Sequence, residues 1–264
     1  MSKFELRDKI ALVTGGGGTV HGIGKSIALA YAAAGANVVV VGRHGEHLAD
    51  VVNEITGLGR QAQAVVADVT DPLQVDKMVE QALARFGRID ILTNSVAGSS
   101  FAKAEEISAE LWTNHIALHL NATFFCCAAV SKVMIEQNGG KIVNTASSSG
   151  IKGDEFMAHY AAAKAGVINL TRSLAIRWAQ YNINVNCIAP GRIEVSADGI
   201  AGILDDEFEK RKSTQKAKGP SSLQLPGKPQ DIANAAVFFA SAGSDLITGE
   251  TLVVRGSEWA SAYS

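Results

Sequence analysis

The fold is read from Ile10-Ala11-Leu12-Val13-Thr14-Gly15-Gly16-Gly17-Gly18-Thr19-Val20-His21-Gly22-Ile23-Gly24. A short apolar run ends in a loop dense in glycine, and helix-compatible sequence starts near Lys25. Side chains obstruct wherever backbone amides must approach a pyrophosphate. A loop stripped of them, opening onto a helix N-terminus, lets the amides and the helix dipole supply the attraction. By itself the loop is no more than a flexible turn. Set between a first strand and a first helix, it becomes a nucleotide-site signal.

Outward from this loop the same unit recurs. Short, largely apolar runs, many of them β-branched, lie at Ile10–Val13, Asn37–Val41, Gln63–Ala67, Ile89–Leu92, Lys141–Asn144, Asn184–Ile188 and Thr251–Val254. Between them Lys25–Ala34, Gly45–Gly57, Pro72–Phe86, Ala109–Glu136, Tyr160–Gln180 and Gln230–Ala240 are helix-compatible, with Asp71-Pro72 and Lys228-Pro229-Gln230-Asp231 as helix starts. Strands apolar on both faces belong in a parallel sheet covered by helices. Residues 1–264 therefore predict one α/β domain, a Rossmann-type doubly wound sheet of about seven strands. Residues 195–229 differ: polar, rich in Lys, Ser and Gly and broken by Pro220 and Pro226, they read as a substrate lid with a short helix around Leu204–Lys212.

Composition narrows the function. Of 264 residues 47% are hydrophobic and 19% charged, and the formal net charge of −2 comes with scattered basic residues, which argues against nucleic-acid or anionic-membrane partners. Cys126, Cys127 and Cys187 lack metal-ligand spacing, so buried reduced thiols are expected and no metal. The charged start, Met1–Asp8, does not read as a signal peptide, and no uninterrupted apolar run reaches the ~20 residues of a span, so a cytoplasmic protein is expected.

One pair carries chemistry. Tyr160 and Lys164 lie four apart on a predicted helix and share a face. A lysine ammonium close to the phenol would favour phenolate and bring a pKa of ~10 toward neutrality, making Tyr160 a usable acid and base. Ser147, with Ser148 and Ser149 as alternatives, follows the fifth strand and offers a hydroxyl that would polarise a carbonyl. A surface Tyr/Lys pair and a serine-capped turn are the plain alternatives.

Taken in order, these marks resemble the short-chain dehydrogenase/reductase family, whose pattern opens T-G-x-x-x-G-I-G and continues with an asparagine, a serine and Y-x-x-x-K. The match runs over nearly the whole chain, but Thr14-Gly15 and Gly22-Ile23-Gly24 are six residues apart instead of three, an insertion that includes His21. The resemblance implies Ser147, Tyr160 and Lys164 as catalytic residues, with Asn121 anchoring a water that joins Lys164 to solvent. For the cofactor it implies Gly15, Gly22, Ile23 and Gly24 at the pyrophosphate, Asp68 and Val69 at the adenine, Asn94 after the fourth strand, and Pro190, Gly191 and Ile193, with Tyr160 and Lys164, toward the nicotinamide. Val195 stands where the family has threonine, with Ser196 next.

The cofactor expected is NADP(H). Gly42 occupies the place where an NAD-selective fold carries a carboxylate, and Arg43, seconded by His44, is suited to a 2′-phosphate. The activity implied is hydride transfer between NADP(H) and a carbonyl or secondary alcohol. An enoyl reductase of the same superfamily and a non-catalytic NADP-binding sensor or scaffold are the rivals. The family also implies a homotetramer or homodimer paired through Ala109–Glu136 and Tyr160–Gln180, with Phe124, Phe125, Ala128, Leu170, Leu174 and Trp178 as candidate contacts. The substrate itself is not legible.

Overall fold

A computed structural model describes residues 3–17, 22–96, 98, 100–193 and 227–255. The seven strands are β1 (Ile10–Thr14), β2 (Asn37–Gly42), β3 (Ala62–Val66), β4 (Ile91–Asn94), β5 (Gly140–Thr145), β6 (Ile183–Pro190) and β7 (Thr251–Val254). The helices are α1 (Ile23–Ala33), α2 (Gly45–Gly57), α3 (Pro72–Phe86), α4 (Ala109–Ile116), α5 (Ala122–Glu136), α6 (Ser149–Lys152), α7 (Ala158–Trp178) and α8 (Pro229–Ala240). All seven strands run parallel in the order β3-β2-β1-β4-β5-β6-β7. The order reverses between β1 and β4, which opens a crevice at their C-terminal ends where doubly wound sheets take their ligands.

Burial on both faces explains the apolar strands. Leu12, Val39, Val41 and Leu92 face one core layer with α3, α5 and α7, while Ala11, Val13, Val38 and Val40 face the other with α1, α2 and α8. The predicted helix starts hold. Asp71 accepts a hydrogen bond from the Leu73 amide at 2.9 Å, and Asp231 accepts one from the Lys228 amide at 2.7 Å. The carboxylate of Asp90 accepts from the Ile10 amide at 2.9 Å and from Arg88 at 2.6 Å, tying the start of β1 to β4.

The predicted helix Ala109–Glu136 is interrupted. A π turn at Ala117–Asn121 separates α4 from α5, a one-residue widening that side-chain periodicity does not register. That helical stretch is long and apolar enough on average to cross a membrane, but polar residues interrupt it and Cys126, Cys127, Val130 and Met134 lie in the core. Two proposed subunit contacts are also corrected: Leu174 and Trp178 are buried in the chain's own core, whereas Phe124, Trp112 and Ile176 are exposed. The cysteines are free and buried, as expected. Residues 195–226 of the expected lid, with its short helix, Val195 and Ser196, and also His21, lie outside the described residues.

Candidate active site

The glycine turn is shaped by backbone approaching backbone. Gly15 has φ 69°, in the left-handed region, and a Cβ there would strike the Ser95 carbonyl. A Cβ on Gly24 would strike the carbonyl of Gly15, so the first turn of α1 lies directly on the loop leaving β1. Gly22 is the N-cap of α1 with no side-chain cap, and the first turn carries no carboxylate. The start of a helix, with its leading amides and dipole, attracts an anion. Ile23 packs against the core beneath. The Ser95 amide donates to the Thr14 hydroxyl at 3.3 Å, closing the ends of β1 and β4 together.

Farther along the crevice, Asp68 is held well below the usual carboxylate range, first by the Thr70 hydroxyl, then by the Thr70 amide, with Arg43 contributing through its charge. Val69 beside it is buried. Arg43 and His44 are exposed at the end of β2, and the His44 and His47 rings lie 5.6 Å apart. The glycine turn, the uncapped helix start and the Arg43–Asp68 corner fit a dinucleotide from phosphate to adenosine. Asn94 turns inward, its amide donating to Asn144 at 2.9 Å and to the Cys127 sulfur at 3.3 Å. Gly191 follows Pro190 at the end of β6, its amide donating to the Val254 carbonyl at 2.9 Å, and Ile193 pairs with Gly227.

The catalytic candidates gather at the C-terminal ends of β5 and β6. Ser147 leaves β5, and its Oγ accepts from the Ser149 amide at 3.2 Å, which leaves the O–H to donate. The Ser147 side chain lies close enough to the Tyr160 hydroxyl to lower its pKa. Lys164, one helical turn on, is 4% exposed, donates to the Thr145 carbonyl at 2.8 Å and holds its Nζ 5.7 Å from the Tyr160 ring centre. Burial brings its pKa down to about 8. Asn121 closes the π turn, which packs against α7.

One expectation reverses. The pKa of Tyr160 is raised, chiefly by burial, with the charge of Asp154 adding to the rise and the Ser147 side chain opposing it. Lys164 lies by the ring and bonds to Thr145, and desolvation, which disfavours the charged phenolate, sets the direction of the shift. Tyr160 is thus a protonated donor in this state.

The sequence reading missed a polar ring around Tyr160. His119 meets its ring edge-on at 5.0 Å, and His115 and His159 stand 4.2 Å apart. Ser100 bridges their Nε2 atoms at 3.0 and 3.1 Å. Asp154 accepts from the Ser149 hydroxyl at 3.2 Å and the Phe156 amide at 3.1 Å. The available signal was the four-residue spacing of His115 and His119, which shares one helix face.

A parallel sheet with a glycine-rich turn leading into its first helix and a Ser/Tyr/Lys set at its switch point has the architecture of a dinucleotide-dependent oxidoreductase. A family model described as enoyl-(acyl carrier protein) reductase matches residues 17–256. The chain is 36% identical over 251 residues to a subunit of (2S)-[(R)-hydroxy(phenyl)methyl]succinyl-CoA dehydrogenase from Thauera aromatica, covering 95% of this chain and 96% of that one. It is likewise 36% identical over 262 residues to galactitol 2-dehydrogenase from Agrobacterium fabrum, covering 98% and 100%. The crystal structure of levodione reductase superposes with a TM-score of 0.89 at 30% identity, covering 97% and 99%. The chain belongs to the short-chain dehydrogenase/reductase family, and is an oxidoreductase of that family.

Proposed function

We propose that this chain interconverts a ketone and a secondary alcohol with NADP(H), Tyr160 serving as the proton donor and acceptor. The observation that carries the reading is the grouping of Ser147, Tyr160 and a buried Lys164 at the C-terminal ends of β5 and β6, with the Lys164 Nζ 5.7 Å from the Tyr160 ring centre. The reduced nicotinamide, when bound, supplies the hydride. In that direction the Ser147 O–H, its lone pair already engaged by the Ser149 amide, donates to the carbonyl oxygen and favours the charge that develops there. The Tyr160 O–H then gives its proton to the same oxygen, and burial, which keeps the phenol protonated, suits it as the acid. Lys164 and the Asn121 turn lead the replacement proton in from solvent.

Preference for NADP(H) rests on the β2 end, where Gly42 presents no carboxylate and Arg43 projects a permanent charge beside Asp68. A charge-assisted contact to a 2′-phosphate corresponds to roughly a tenfold to hundredfold preference. The measurement is kcat/KM with NADPH and NADH for the parent and Arg43→Ala. The parent should favour NADPH and the variant lose most of that advantage. Equal or better use of NADH by the parent would reject the assignment.

The description of the matched family model favours a second reading, reduction of an enoyl double bond. The four-residue separation of Tyr160 and Lys164 opposes it, since enoyl reductases of this superfamily space that pair more widely. We further propose a cytoplasmic setting and a homo-oligomer, for which exposed Phe124, Trp112 and Ile176 provide apolar surface.

A further inference from the structure

We propose that His119 is a positioning residue for Tyr160, its ring fixing the plane of the phenol and so the direction in which the hydroxyl donates. The inference rests on the reading of Tyr160 as the acid and base, and it names what aims that group.

Tyr160 needs to be held. It lies in the first turn of α7, whose N-cap, Met157, makes no side-chain hydrogen bond. The amides of a first turn have no intrahelical partners, and an uncapped helix end frays readily. The χ2 torsion of a tyrosine is soft besides. Rotation about it leaves the phenolic oxygen in place but swings the O–H, because conjugation keeps that hydrogen near the ring plane. An acid that must donate to one oxygen therefore needs its ring plane set from outside.

His119 supplies the restraint. Its ring stands at 90° to the Tyr160 ring with the centres 5.0 Å apart, the edge-to-face arrangement that aromatic pairs favour. Turning the phenol about χ2 gives up that contact. His119 is itself well anchored: its Nε2–H donates to the Gly98 carbonyl at 2.7 Å, its own carbonyl accepts from the Thr123 hydroxyl at 2.7 Å, and its ring lies 5.4 Å from that of His115. Ser100, just beyond Gly98, bridges His115 and His159, and His159 immediately precedes Tyr160. The Ala102 amide, donating to the Phe156 carbonyl at 2.9 Å, ties the same segment again just ahead of α7. The first turn of α7 and the π turn are thus fastened to one stretch of chain, and the two rings cannot drift apart.

The imidazole is not a second acid. Its one proton is committed to Gly98, and among the described residues its Nδ1 is buried without a partner. Burial, followed by the Lys164 charge, brings its pKa down to about 2, so the ring stays neutral beside the phenol. Geometry is what it contributes.

Two substitutions separate orientation from packing. His119→Phe keeps an aromatic ring but strands the Gly98 carbonyl; His119→Gln keeps an N–H for that carbonyl but loses the ring. If packing were all, the Phe variant would be the poorer enzyme, since a buried acceptor left bare is costly. Turnover is measured with NADPH and 2,3-butanedione, a vicinal diketone with electron-poor carbonyls, and stability by urea unfolding. His119→Phe should unfold at lower urea than His119→Gln yet keep kcat within about threefold of the parent, the edge-to-face contact being retained. His119→Gln should lower kcat roughly tenfold or more and leave KM for NADPH within about twofold, as misdirection of a reacting group does. Ring motion is read without substrate, by NMR of protein whose tyrosines carry 13C at both ε positions, the Tyr160 signals being those lost in Tyr160→Phe. The two ε carbons should give separate signals in the parent and in His119→Phe, and a merged signal in His119→Gln. Activities that follow the order of stability, or ε signals that are alike in the parent and His119→Gln, would overturn the assignment while leaving Tyr160 as acid and base. Reduction of the diketone by Tyr160→Phe at the parental rate would instead remove the Tyr160 reading.

Discussion

On the β1–β2 side of the crevice the groups facing the ligand space are glycines and the bare start of a helix, with apolar strands behind them. On the β4–β6 side the interior is polar: Thr171 accepts from Asn144 at 3.0 Å, Asn144 accepts from Asn94 at 2.9 Å, and Thr145 accepts from buried Lys164. The first side works through the absence of side chains and is damaged by adding atoms. The second works through side-chain atoms fixed in a water-poor setting, and is damaged by removing them.

The largest effect belongs to the polar side. Tyr160→Phe deletes one oxygen from a half-buried ring and should lower kcat at least ~100-fold, the usual contribution of a general acid-base group, with the dissociation constant for NADPH changed little. Steady-state turnover and fluorescence titration of the cofactor check it, and a parallel loss of binding would break the division between the two sides. The converse change is Gly24→Ala. Its methyl meets the Gly15 carbonyl, and neither backbone can yield, so NADPH affinity should fall at least ~10-fold, with a stability cost of about 1 to 3 kcal/mol seen in urea unfolding. The apparent kcat at saturating cofactor should change less than KM for NADPH.

The smallest effect is on stability against pH. His119 has its pKa lowered from 6.5 to about 2, first by burial and then by the Lys164 charge. Above pH 6.5 the ring is neutral folded or unfolded, and it adds no slope. Below that value the unfolded chain binds a proton that the folded chain refuses, so stability falls as pH falls from 6.5 toward about 2, at up to about 1.4 kcal/mol per unit. His115 and His159 are shifted the same way by burial and add to the slope. Urea unfolding at pH 7.5 and 5.5 should show the loss in the parent and less of it in His119→Gln, which retains an N–H for the Gly98 carbonyl. An identical slope in both proteins would discard His119 as its source.

How legible the two sides were follows from how they are built. Strand boundaries came within two residues because seven runs flanked by helices are apolar for a local reason, burial on both faces. The glycine turn was legible because a positive φ at Gly15 and the Gly24 contact admit nothing else. Ser147, Tyr160 and Lys164 fall on predicted elements at fixed spacing, so their meeting followed from topology. The direction of the Tyr160 shift did not, since desolvation depends on what covers the ring. His115, His119, His159 and Ser100 come from a helix, a π turn, a later helix and a loop, and the contacts among them are tertiary. Asp154 lay in a segment whose composition showed no charged cluster, and its relation to Ser147 depends on the short helix α6.

The central claim is that this crevice transfers a hydride to a carbonyl carbon next to Ser147 and Tyr160. It is tested most directly by supplying NADPH carrying deuterium at the transferable position of the nicotinamide, with a ketone, and locating the label by mass spectrometry. Deuterium on the carbinol carbon of the product, formed in step with cofactor oxidation by the parent and nearly absent with Tyr160→Phe, is the result expected. Cofactor oxidation that leaves the organic product unlabelled, or equal labelling by the variant, would contradict it.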